Sequence, residues 1–218
     1  DWKLIESLIY PKSTVLDIGC GEGGLIKQLE TNIQSDTRGI EIDPELARKA
    51  IAEGLNVVQG NAEYDLNQYS NQSFDYVILS QTLQVMLKPK EVLKELLRIG
   101  AKAIVSFPNF GHWKIRFQLL CNGRSPITEG LPYSWYETPN FHFFTIKDFQ
   151  DLCKKSNIVI EKSIGLTSKG KQFDLNQKVL GFNLITSEAI FLLSYKKLKP
   201  IKIQSKQKLF YNKSAIIH

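Results

Sequence analysis

Histidine and cysteine are scarce in this chain, acids vanish after Glu188, and no apolar run approaches the roughly 18 residues that a membrane helix needs. The three cysteines (Cys20, Cys121 and Cys153) are odd in number and far apart, with no CxxC or Cys/His spacing. That excludes a recognisable zinc motif and a disulfide framework, and it points to free thiols in a reducing, cytoplasmic compartment. Nothing in the sequence resembles a targeting signal. The missing acids matter because seven lysines follow Glu188. The chain carries +6, so subtracting that terminal +7 leaves residues 1–188 at −1. The basic character therefore belongs to the C-terminal end and not to the body. It reads as a solvated tail, with weak contact to nucleic acid or an acidic partner as the sharper alternative.

What is present is a core former, since 43% of the 218 residues are apolar. STVLDIG (13–19) is a short apolar run that breaks into glycines, and a helix with Leu25, Ile26 and Leu29 at helical spacing follows it. TRGIEID (37–43) is the next strand. Asp43 and Pro44 then open a second helix as cap and first residue. Further strands are expected at 55–60, 73–80 and 101–107, with a helix at 89–98 between the last two. A helical piece at 112–120, a helix at 145–155 capped by Thr145, and a closing strand pair at 157–166 and 187–196 complete the pattern. A flexible connection is expected at 167–180. The result is an α/β fold: a doubly wound, mostly parallel seven-stranded sheet with an antiparallel closing pair. One domain is expected over 1–197, with an aromatic-rich insertion at 109–144 and a flexible lysine-rich tail at 198–218.

DIGCGEGG (17–24) places Gly19, Gly21 and Gly24 in a GxGxxG spacing between a strand and a helix. Asp17 argues against a nicotinamide cofactor, because a carboxylate beside the loop repels a pyrophosphate and attracts an ammonium or sulfonium. That favours S-adenosylmethionine (or S-adenosylhomocysteine). Glu41 ends the second strand 22 residues after Gly19, at the spacing of a ribose-binding acid. Asn61, past the third strand, is a candidate for the adenine edge, with a plain turn residue as the alternative. Cys20, Ile42, Ala62 and Ser80 adjoin these positions and belong to the same candidate site, Cys20 as a small apolar packing residue.

Methyl transfer needs orientation, plus a base where the acceptor must lose a proton. The run Ser80-Gln81-Thr82-Leu83-Gln84 offers hydrogen bonds but no proton shuttle. His112 and His142 are the weak candidates for a base, with packing or a surface hydrogen bond as the bland alternative. Between 109 and 144, nine of 36 residues are aromatic, a quarter against 11% for the chain. With Arg116 and Arg124 they form either an interface patch or a lid over a small acceptor.

VLDIGCGEGGL, GIEIDPE, FDYVILSQTLQV, AIVSFPNFGHW and LPYSWYETPN with HFFTIKDF together resemble the methionine biosynthesis family MetW, over about Ser13 to Gly165. That resemblance implies a class I methyltransferase-like fold and a nucleotide site at Asp17, Gly19, Gly21 and Glu41. It also implies a homoserine O-acyltransferase of the MetX type as partner, for which the aromatic stretch 109–144 is the expected docking surface. Asn61 departs from the family, which usually has an acid there, and the lysine-rich end lies outside the resemblance. The rival readings are an active methyltransferase on a small molecule, one on RNA, and a nicotinamide oxidoreductase.

Overall fold

The computed structural model describes residues 2–128, 131–140, 142–175 and 181–195. In chain order its elements are α1 (Trp2–Glu6), β1 (Thr14–Ile18), α2 (Gly24–Ile33), β2 (Asp36–Glu41), α3 (Pro44–Ala52) and β3 (Val57–Gln59). There follow α4 (Ala62–Asp65), β4 (Phe74–Ser80), α5 (Pro89–Ile99), β5 (Gly100–Pro108) and α6 (Trp113–Asn122). The last are α7 (Ile146–Lys155), β6 (Ile158–Leu166), β7 (Gln172–Asp174), α8 (Phe182–Ile185) and β8 (Glu188–Tyr195). Among the described residues no helix is long and apolar enough to cross a membrane.

The strands form one sheet in the order β3-β2-β1-β4-β5-β8-β6-β7. The first five are parallel, while β8, β6 and β7 join antiparallel. The expected topology holds, with an eighth strand: Gln172–Asp174 pairs with Ile164–Leu166 inside the stretch expected to be a flexible connection. Residues 198–218, expected as a tail, lie outside the described residues.

The two-residue period of the strands sorts their side chains onto two faces. Leu16, Val77, Leu79, Ala103 and Val105 pack with Val92, Leu93 and Leu96 of α5 and with Phe149 of α7. Val15, Tyr76, Ile78 and Ile104 pack with Leu25 and Leu29 of α2 and with Ile5 of α1. Both faces are covered, as a parallel sheet requires. Local signals set the helix starts. Asp43 Oδ1 accepts from the N–H groups of Glu45 (2.8 Å) and Leu46 (3.2 Å), and Thr145 forms a reciprocal capping box with Asp148.

At its C-terminal end β5 meets an aromatic cluster. Phe107 stacks on Phe191 (5.6 Å between centroids) and tilts against Phe144 (4.7 Å) and Phe149 (4.8 Å). The next residue but one, Asn109, is 1% exposed and makes four side-chain hydrogen bonds. Its Nδ2 donates to the carbonyls of Asn183 (2.9 Å) and Thr186 (2.8 Å), and its Oδ1 accepts from the N–H groups of Gly111 (2.9 Å) and Ile146 (3.3 Å). One side chain thus ties the end of β5 to α8 and to the start of α7. Gly111 is the one residue that fits beside it, because a Cβ there would lie 2.8 Å from the Asn183 amide.

Candidate functional site

In an open parallel sheet, ligands bind beyond the carboxyl ends of the strands, where the strand order reverses. Here that point lies between β1 and β4, and the glycine loop leaves β1 there. Gly19 (φ +72°) and Gly21 (φ +58°) are left-handed, a conformation glycine adopts without steric cost. The Gly19 N–H donates to Ile40 O (2.8 Å), which folds the loop across the end of β2. A Cβ on Gly19 would press into Thr82, whereas one on Gly21 would meet nothing within 4 Å. The space over Gly21 is open.

Asp17 and Glu41 stand at the ends of neighbouring strands, 3% and 6% exposed. The Glu41 carboxylate is anchored on both oxygens, Oε2 accepting from Gly21 N–H (2.7 Å) and Oε1 from Asp43 N–H (2.9 Å). It therefore stitches the glycine loop to the start of α3, a role the ribose expectation did not include. Asp17 is different, because among the described residues no donor hydrogen-bonds to its carboxylate. Burial, and then the Glu41 charge, push its pKa up to about 7. A nearly enclosed carboxylate beside a second one, without a donor, leaves a well of negative potential at the loop.

Cys20 packs inward. A Cβ on Gly39 would collide with its Sγ, so that strand glycine is what allows the loop to lie flat. Burial, reinforced by Asp17 and Glu41, pushes the Cys20 thiol up to about 12, which removes it as a nucleophile and agrees with a packing role. Ile42 is 63% exposed just past Glu41, a large apolar side chain in solvent beside the loop. Asn61 is the N-cap of α4, its Oδ1 accepting from Glu63 N–H (2.9 Å), and Ala62 is buried beneath it. Ser80 Oγ hydrogen-bonds Ser106 Oγ (3.0 Å), tying β4 to β5.

The two histidines lie elsewhere. His112 is the N-cap of α6, with Nδ1 accepting from Lys114 N–H (3.3 Å). Burial, and then the Lys114 charge, hold its pKa below the ordinary value, so the ring is neutral at physiological pH. With Nδ1 occupied, Nε2 carries the proton and acts as a donor, the wrong form for a base. His142 offers its backbone N–H to Gln84 O (3.1 Å). The geometry thus groups Asp17, Gly19, Cys20, Gly21, Glu41 and Ile42 at the adjoining ends of β1 and β2 and gives neither histidine the setting of a base there. Sequence reasoning missed Thr82, whose Oγ1 donates to Ser80 O (2.7 Å) as it covers Gly19, and Gly39, for which an isolated strand glycine was the available signal.

The aromatic stretch separates into two populations. Phe110 is buried against Phe143, and Phe144 packs into the β5 cluster. By contrast Trp113, Phe117 and Leu120 follow an i, i+4, i+7 stripe on α6 and face solvent, Leu120 at 85% exposure. Trp135 and Tyr136 are also exposed, edge to face at 5.6 Å.

Comparison with known proteins gives a consistent answer. The family described as "Methionine biosynthesis protein MetW" matches residues 1–193. The bifunctional methionine biosynthesis protein MetXA/MetW of Rhodopirellula baltica is 34% identical over 173 residues, 75% of this chain but 28% of that protein. This chain thus spans under a third of that relative. Among solved structures, a SAM-dependent methyltransferase and possible histamine N-methyltransferase of Thermotoga maritima superimposes with a TM-score of 0.64 at 18% identity. The match covers 89% of this chain and 87% of that one. The [4+2]-cyclase SpnF aligns with a TM-score of 0.61 at 14% identity, over 89% of this chain and 80% of its own. At such identities these structures establish the class I methyltransferase fold alone, and their different names illustrate that this fold does not dictate one reaction.

Proposed function

This chain belongs to the MetW family, and on that premise we propose that it is an S-adenosylmethionine-binding accessory partner of a MetX-type homoserine O-acyltransferase in methionine biosynthesis. The observation that carries the nucleotide half is Asp17, a buried carboxylate that among the described residues has no donor, near the open space over Gly21. A ligand carrying an ammonium or sulfonium lowers the cost of that charge, whereas a pyrophosphate raises it. Glu41, already holding the loop with one acceptor direction of each oxygen, has lone pairs left for ribose hydroxyls. Ile42 supplies exposed apolar surface for a base, and Asn61 and Ala62 stand at the start of α4, past the end of β3.

The partner half rests on two supports. One is the bifunctional relative, whose name joins MetXA and MetW in a single polypeptide. The other is the solvent-facing Trp113–Phe117–Leu120 stripe, an apolar face of the kind that marks protein interfaces. The second reading, methyl transfer to a small acceptor, has the fold in its favour. It has against it a His112 that is neutral, occupied at Nδ1 and committed to capping a helix.

The test is homoserine acylation by the MetX-type enzyme of the same cell, with and without this protein. A rate increase of about tenfold or more is expected, equivalent to roughly 1.4 kcal/mol of barrier. The Trp113→Ser/Phe117→Ser variant should lose most of that increase while still binding nucleotide. No stimulation together with no co-purification would sink the accessory reading and return attention to methyl transfer. A separate check concerns Glu41: Glu41→Ala should weaken S-adenosylmethionine binding by about 1.5–3 kcal/mol, as expected for lost charged hydrogen bonds. It should also speed amide exchange at Gly21 and Asp43. Calorimetric titration with hydrogen exchange reads both effects, and unchanged affinity would remove the ribose assignment.

A further inference from the structure

A cavity of about 360 Å³ lies past the ends of β4 and β5, beside the start of β8. Its size falls at the small end of the roughly 300–1,000 Å³ typical of small-molecule sites. The lining has an unusual charge content: a carboxylate (Glu188), an ammonium (Lys114), the His112 ring, and the hydroxyls of Thr128 and Ser187.

The carboxylate is deliberately placed. Gln81 sits at φ +54°, a left-handed backbone that a residue with a side chain adopts at a cost. It is locked there by its N–H, which donates to Ser106 O (3.0 Å) and lies 3.2 Å from Ser106 Oγ. From this position Gln81 Nε2 reaches Glu188 Oε1 (2.5 Å), a residue 107 positions later. Among the described residues that neutral amide is the hydrogen-bond partner of Glu188. Burial raises the Glu188 pKa against the lowering effects of the amide and of the N-terminal charge.

We propose that this cavity binds a small zwitterion, a free hydroxylated α-amino acid, with its ammonium on Glu188 and its carboxylate toward Lys114. The side-chain hydroxyl meets the His112 Nε2–H and the Thr128 and Ser187 hydroxyls. An anion such as phosphate is disfavoured by Glu188, and a wholly apolar guest by the Glu188 carboxylate it would cover, while Pro108, Ile115 and Leu131 supply the apolar part of the wall. The inference rests on the cavity alone and holds whether or not an acyltransferase partner is found.

The purified chain is titrated calorimetrically with L-homoserine as the probe, then with 3-aminopropan-1-ol, which lacks the carboxylate, and with 4-hydroxybutyrate, which lacks the ammonium. Saturable binding of L-homoserine with a Kd of about 1 mM or tighter is expected. Each truncated compound should bind at least about tenfold more weakly. Glu188→Gln, which keeps the shape, should abolish binding without moving the thermal transition by more than a few degrees. Lys114→Ala, on an exposed helical position, should weaken L-homoserine about fivefold or more and leave 3-aminopropan-1-ol unchanged. Absence of saturable heat, equal binding of the truncated compounds, or indifference to both substitutions would each overturn the proposal.

Discussion

Asp17→Asn is expected to weaken S-adenosylmethionine binding by at least about tenfold while making the unliganded protein more stable above neutral pH. Both effects come from one buried charge. The Asp17 carboxyl titrates near 7 in the folded chain, against an ordinary value of 3.8, because burial and the Glu41 charge oppose ionisation. The folded state therefore holds that proton more tightly than the unfolded state does. The stability contributed by this group is complete below the ordinary value and is lost as pH rises through about 7. At about pH 8 the ionised carboxylate costs on the order of 2–4 kcal/mol, which the asparagine removes. A cationic ligand reverses the balance, since it favours the charged form. Affinity for S-adenosylmethionine should accordingly rise between about pH 5.5 and 7.5 in the native chain and be flat in the variant. Calorimetric titration across that range, with melting curves of both proteins at about pH 8, reads the two effects together. A variant that binds as well as the native chain, with the same pH profile, would show that Asp17 does not face the ligand.

Asn109→Ala should be the most damaging single change outside the sheet core. It deletes two donated and two accepted hydrogen bonds at a position 1% exposed, and strands the carbonyls of Asn183 and Thr186 and the N–H groups of Gly111 and Ile146. Each buried polar group left unpaired costs about 1–3 kcal/mol, and partial relaxation brings the expected loss to roughly 3–5 kcal/mol. Urea denaturation measures it directly. The loss should appear in the midpoint with the slope preserved, because the native fold is weakened and the surface exposed on unfolding is unchanged. A variant within about 0.5 kcal/mol of the native chain would mean that water or a neighbouring side chain replaces the lost partners.

These expectations bear on how SFPNFGHW (106–113) is understood. A signature such as SFPNFGHW invites a catalytic reading, since it follows a central strand at the ligand edge. In the fold, Ser106, Phe107, Asn109 and Gly111 are structural: they pair strands, fill the core and receive α7 and α8. His112 caps α6 and lines the cavity beside Glu188. The residues exposed to meet another protein come after it, on the outward stripe of α6.

What the sequence determined by itself was whatever local interactions decide. Apolar runs ending in glycine, the Asp43-Pro44 start of α3 and the Thr145 cap of α7 depend on residues within one turn of each other, so strand and helix order were legible. The placement of Asp17 and Glu41 at strand ends was legible for the same reason. The short strand β7 was not, because three residues have too little pattern and are held by pairing with β6. Only the tertiary structure decided which aromatics of the 109–144 stretch point inward. Phe144 and Trp113 are alike in composition, and contacts with Phe107 and Phe149 select one of them for the core. It alone turned His112 into a cap, loaded Asn109 with four partners from three segments, and brought Glu188 to Gln81. Those arrangements join residues far apart along the chain, and no local spacing records a contact that exists only after the sheet has closed.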